Sequence, residues 1–174
     1  MRLTTKGRYA VTAMLDVALH RSEGPVSVVD VAGRQGISPA YLEQLFGKMK
    51  KAGLLISVRG PGGGYQLKRS GDAISISDII ASVGEGVDAT RCHGAADCQD
   101  GLACLTHDLW FELSEEIDVF LRGVTLAKLA NRHTVRAVAS RQDEQLFIDR
   151  GSEADPARES ARTKDGRRIA ARHV

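Results

Sequence analysis

Cysteine is scarce in this 174-residue chain, and what there is lies in one place: Cys92, Cys98 and Cys104 all fall within CHGAADCQDGLACLTH. Three thiols cannot pair completely, which argues against a disulfide framework. Long apolar runs are missing too. None approaches the roughly 18 residues that a membrane span needs, so no membrane partner is expected. The opening MRLTTKGRYAVTAMLDVAL is basic and then apolar, but Asp16 interrupts it and no small-residue cleavage site follows. It reads as a helix, not a signal peptide, and a cytoplasmic location is the default. There is no internal repeat. With 43% hydrophobic and 26% charged residues, the composition is that of a globular protein able to bury a core.

Net charge is small as well, at +2, but it is unevenly spread. Residues 1–70 carry 11 Lys and Arg against 4 Asp and Glu, whereas residues 71–140 carry 5 against 11. A basic first part joined to an acidic middle suggests a polyanion-binding module attached to something else.

Ala10, Ala13, Met14, Val17 and Ala18 repeat at helical spacing, so residues 4–20 form a helix capped by Thr4 or Thr5. Ser27 caps a second helix over 28–35, with Asp30 completing a weak capping box and Gly36 ending it. Ser38 and Pro39 open a third helix over 39–52, where Leu42, Leu45, Phe46 and Met49 make an apolar stripe. Two helices joined by Gly36-Ile37-Ser38 have helix-turn-helix spacing. LLISVRGPGGGYQLKR then alternates on both sides of a glycine run. Ile56 and Val58 share a face of the first arm, and Tyr65 and Leu67 share a face of the second. The fold class expected is mainly α with a small β-hairpin wing. A winged helix-turn-helix domain spans 1–84.

Beyond it, Ser77 caps a short helix that ends at Gly84, and residues 85–105 form an aperiodic loop holding the cysteines. A long helix from Thr106 to Leu121 presents Leu109, Trp110, Leu113, Ile117, Phe120 and Leu121, and Thr125 caps a further short helix. So large an apolar face on a lone helix suits pairing with a second copy, and residues 106–139 are read as a dimerisation unit. Residues 140–174 are dense in both charges and poor in large apolar side chains, which is the composition of a disordered tail.

The third helix turns Ser38, Ala40, Tyr41, Glu43, Gln44, Lys48 and Lys51 outward, and the hairpin tip holds Arg59, Gly60 and Gly62. A recognition helix offers its first residues to base edges. Gln44 suits adenine, Glu43 suits a cytosine amino group, and Lys48 and Lys51 suit phosphates. Glu43 repels the DNA backbone unless a cytosine satisfies it, so it is the candidate for discriminating between sites. The glycine run lacks the GK[ST] ending of a phosphate loop and reads as a backbone that can pass close to a DNA strand. One helix and one wing make few contacts, so a homodimer on palindromic double-stranded DNA is expected.

Three chemistries suit Cys92, Cys98, Cys104 and His107. Soft thiolates with one imidazole can hold an iron–sulfur cluster, Cys₃His can hold zinc, and the thiols can sense redox state without a metal. Gaps of five residues exceed the usual zinc spacing and suit a loop wrapped round something larger than one ion. A nucleophilic Cys–His enzyme lacks any oxyanion-forming motif or separate base here, so no catalytic role is expected. His20, His93, His133 and His173 are read as surface or loop residues without a role.

MRLTTKGRYAVTAMLDVAL, QGISPAYLEQLF, SVRGPGGGYQL and C-x5-C-x5-C-x2-H together resemble the iron–sulfur cluster-responsive regulators of the Rrf family, from residue 1 to about 136. The resemblance implies a dimeric winged-helix transcription factor with a [2Fe-2S] cluster on Cys92, Cys98, Cys104 and His107. It implies repression of the iron–sulfur cluster assembly operon and regulation of other genes. A cluster-assembly scaffold would be the cluster donor.

Overall fold

Thr4 starts the first helix by accepting a hydrogen bond from the Lys6 N–H at 3.2 Å. A computed structural model of the protein describes residues 4–153. Helix α1 (Thr5–Leu19) turns Ala10, Ala13, Met14 and Val17 inward. Ser27 caps α2 (Val28–Gln35), and Gly36 closes it in the left-handed region at φ 63°, its N–H reaching the Ala32 carbonyl. Ser38 caps α3 (Pro39–Lys51), with Pro39 in the first turn. Leu42, Leu45, Phe46 and Met49 are fully buried against α1, as the helical stripe predicts. Helices α2 and α3 with their tight link form the helix-turn-helix.

The wing follows as strands β1 (Leu55–Val58) and β2 (Gly64–Leu67), paired antiparallel with Leu55 opposite Leu67 and Ser57 opposite Tyr65. That face turns inward: Leu55 is buried, and the Tyr65 ring packs 4.6 Å from Phe46. Ile56 and Val58 do share a face, but it is the outer one, and both are exposed. The wing glycines are not interchangeable. Gly60 and Gly62 hold the positive φ of the tip. Gly64 lies so close to Val26 that a Cβ would come 2.3 Å from the Val26 carbonyl oxygen. This close approach lets Val26 and Tyr65 exchange two backbone hydrogen bonds and pins the hairpin to the segment before α2.

Ser75, not Ser77, caps α4 (Ile76–Ser82), in a full capping box with Asp78. Ser77 lies inside the helix and donates its hydroxyl to Asp118 at 2.6 Å. Asp118 belongs to α5 (His107–Gly123), which lies against α4 through Asp118 and Leu121 and against the cysteine loop through His107 and Ser114. The opposite face bears Leu109, Leu113 and Phe120, all exposed, with Trp110 and Phe111 beside it. Thr125 caps α6 (Leu126–Ala130), whose Leu126 reaches the core.

Of the disordered tail expected from residue 140, residues 140–153 are helical instead. Helix α7 (His133–Glu153) continues through that boundary, and the rest of the tail, including His173, lies outside the described residues. Polar bonds join α7 to α1 and α2. Asp16, wholly buried, takes a two-pronged ion pair from Arg34 at 2.6 and 2.9 Å and a hydrogen bond from Gln35 at 2.7 Å. Gln35 exchanges hydrogen bonds with Gln142, His20 donates to Asp143 at 3.0 Å, and Arg150 pairs with Asp30. His20 is thus buried and partnered, not an idle surface group. No described helix is long and apolar enough to cross a membrane.

Candidate metal centre and nucleic-acid interface

Two local devices gather the cysteines. Asp100 and Gly101 both take positive φ, at 51° and 82°, between Gln99 and Leu102, which exchange a pair of backbone hydrogen bonds. This is a two-residue hairpin turn of the type that Asp-Gly favours. It folds the chain back so that the Cys104 N–H donates to the Cys98 sulfur at 3.0 Å. Ahead of it, His93, Gly94 and Ala96 also lie in the left-handed region and curl the chain around Cys92. Asp88 steadies the entry by accepting from the Thr90 N–H and hydroxyl at 2.7 and 2.6 Å.

Helix α5 supplies the fourth group from its first turn. His107 is buried, stacks on Phe111 and directs Nδ1 at Cys92 Sγ, 3.4 Å away, and at Cys98 Sγ, 3.8 Å away. Its helix is tied back to the loop: the Ala89 N–H donates to Ser114, whose hydroxyl donates to the Trp110 carbonyl. The ligand atoms of Cys92, Cys98 and His107 all lie within 4.8 Å of one another. Cys104 stands outside that trio, with its sulfur 3.9 Å from the Thr106 hydroxyl. All four line one cavity of about 430 Å³, together with Arg91, Thr106 and Trp110.

The thiols are chemically unequal. Burial pushes Cys92 up, but the N–H groups of Ala96, Asp97 and Gly94 and a hydrogen bond from Cys98 outweigh it, drawing the thiol down to about 7. The hydrogen bond from Cys98 lowers Cys104. Cys98 is raised: the Cys104 N–H favours its thiolate, but hydrogen bonding to both other sulfurs, together with burial, favours the proton. Thiolates are the form that binds metals. This donor set is compatible with holding a metal ion or a cluster.

On the helix-turn-helix, Ser38, Ala40, Glu43, Gln44, Lys48 and Lys51 of the expected DNA-facing set are exposed, as are Arg59, Gly60 and Gly62 at the wing tip. Tyr41 is half-buried, its ring edge-on to Tyr9 at 6.1 Å. Ser38 serves the fold as well, accepting from the Tyr41 N–H. Sequence reasoning passed over Lys6 of α1, which stands beside Lys48 and lowers its pKa by like-charge repulsion. It also passed over Glu85, which reaches α1 across 78 positions and has no local pattern to betray it. The Asp-Gly dipeptide at 100–101 was the one readable sign of the turn between Cys98 and Cys104.

Residues 3–132 match the family model of Rrf2, described as an iron-dependent transcriptional regulator. The chain is 58% identical over 146 residues to the HTH-type transcriptional regulator IscR of Photobacterium profundum, covering 84% of this chain and 85% of that one. Among solved structures it resembles T. potens IscR, at 40% identity and a TM-score of 0.62 over 74% of this chain and 85% of the other. It also resembles CymR (YrzC), the global cysteine regulator of B. subtilis, at 32% identity and a TM-score of 0.65 over 75% and 96%. These relatives are named as regulators, not enzymes. A helix-turn-helix with its wing, a cysteine loop and this degree of identity place the chain in the Rrf2 family of DNA-binding transcriptional regulators.

Proposed function

We propose that this regulator senses iron–sulfur cluster status through a [2Fe-2S] cluster and represses the iron–sulfur cluster assembly operon, regulating other genes as well. The observation that carries the reading is the convergence of Cys92, Cys98 and His107 within 4.8 Å, with Cys104 on the wall of the same cavity. Three soft sulfurs with one imidazole are a set that iron–sulfur clusters take. Cys104 lies beyond the compact trio, which suits a group with more than one metal atom. When bound, such a cluster supplies a redox-active, removable group at the start of α5. The residues then have separate tasks. The low-pKa thiol of Cys92 offers a thiolate near neutral pH. His107 joins the loop to α5.

The apolar face of α5 supports a homodimer that sets two α3 helices against a palindromic promoter site. Glu43 and Gln44 would read bases, while Lys48, Lys51 and the Arg59 wing hold phosphates. The protein works in the cytoplasm and receives its cluster from an assembly scaffold. The test is anaerobic purification with iron and sulfide analysis and an absorption spectrum, repeated on Cys92→Ala. Colour and iron lost in the variant support the ligand set, and full iron retained in it overturns the set.

One observation favours a second reading. A tetrahedral zinc with bonds of about 2.3 Å to sulfur and 2.0 Å to nitrogen sets S···N edges of roughly 3.5 Å. The 3.4 and 3.8 Å edges of the trio match that geometry. Zinc at one per chain without iron would establish it.

A further inference from the structure

The first turn of α1 carries backbone N–H groups without helical partners, and a side chain from the far end of the winged domain reaches one of them. Glu85 opens the segment that leads into the cysteine loop. Its carboxylate accepts from the Gly7 N–H at 3.2 Å and from the Thr4 hydroxyl, and it stands 4.0 Å from the Lys6 ammonium. Its side chain is 14% exposed, so water screens the contact poorly. Lys6 in turn stands beside Lys48 of α3, close enough for the two like charges to lower the Lys48 pKa. Residue 85 is therefore joined to the cysteine loop along the chain, to α1 through hydrogen bonds, and to α3 through charge. We propose that Glu85 is the positioning residue through which the cysteine loop acts on the DNA-facing helix. Seated on α1, it neutralises one charge of the Lys6–Lys48 pair; withdrawn with the loop, it leaves both ammonium groups to DNA phosphates.

This proposal deepens the sensing reading and rests on it. Its physical content is a count of available positive charge, which the salt dependence of DNA binding measures directly. Each phosphate neutralised contributes a slope of about 0.9 in log affinity against log salt. Glu85→Gln keeps one oxygen to accept from the Gly7 N–H and the Thr4 hydroxyl, turns the other into an amide NH2 and removes the charge. The test measures binding of anaerobically purified full-length protein to a random-sequence duplex and to its operator at several salt concentrations, before and after chelation of the metal. Glu85→Gln is expected to steepen the salt slope by about 1, to tighten binding to the random duplex roughly threefold to tenfold at low salt, and to shrink the operator ratio between loaded and stripped protein. Lys6→Gln is expected to make the slope shallower. A Glu85→Gln slope and operator ratio equal to wild type, in protein that retains its metal absorbance, overturn the role of Glu85. A wild-type protein that ignores its metal overturns the sensing reading instead, and the slope of Glu85→Gln still decides whether Glu85 controls the charge.

Discussion

Asp16 lies in a helix whose other inward residues are apolar or small, and it stays charged there because three side chains answer it. Burial pushes its carboxyl up, but hydrogen bonds from His20, Arg34 and Gln35 hold it down at about 2. The same hydrogen bond to Asp16 lifts His20 to about 9 against the opposing effect of burial. The imidazolium donates from Nδ1 to the Asp16 carbonyl and from Nε2 to Asp143. A group raised on folding stabilises fully below its unfolded pKa, and that contribution is lost as pH rises through the folded value. Thermal stability should therefore fall between about pH 6.5 and 9, and His20→Gln should flatten that part of a melting-temperature profile. Asp16 works in the other direction: its contribution is present above about pH 4 and is lost towards pH 2. Removing Arg34 strips the two-pronged ion pair from a buried Asp16, which costs about 3–5 kcal/mol. Urea denaturation of Arg34→Ala checks this. On the exposed face of α3, Glu43→Ala should reduce discrimination between operators by about 1–3 kcal/mol, read by competition gel shifts.

At the scale of elements, α3 was legible in the sequence because its information is local. Ser38 and Pro39 mark the start, and Leu42, Leu45, Phe46 and Met49 mark the buried face. The hairpin was legible for the same reason, through alternation on both sides of its glycines. Helix α7 was not, because its anchors are polar groups that find partners far along the chain, as Gln142 does with Gln35 and Arg150 with Asp30. A composition rule reads those residues as solvated. The shift of a helix start from Ser77 to Ser75 has a smaller cause: both serines suit a cap, but only Ser75 stands three residues before Asp78. Three cysteines at five-residue gaps and a histidine two residues beyond were readable; that Cys104 stands outside the trio was not, because the Asp100-Gly101 turn and the Thr106 hydroxyl set its place. Helix α5 carries its own prediction. Phe120 is 65% exposed and Leu109 58%, on the face opposite α4. Sedimentation velocity should find a dimer, and Phe120→Glu should shift it to monomer and weaken operator binding. A wild-type monomer at micromolar concentration contradicts the role given to this face.

At the scale of the molecule, the cysteine–histidine group at the start of α5 and a basic face on α3 share one core through α4 and α1. Ser77 ties α4 to Asp118 of α5, and Glu85 ties the cysteine loop to α1. A coupling of roughly 1–3 kcal/mol along such a path changes occupancy of a promoter by 5- to 150-fold. The most direct measurement is operator affinity of one anaerobically isolated sample, with iron and sulfide quantified, before and after chelation. Two iron and two sulfide per chain, with affinity shifted at least fivefold on stripping, is the predicted result. A colourless, zinc-loaded protein whose affinity survives chelation unchanged contradicts it.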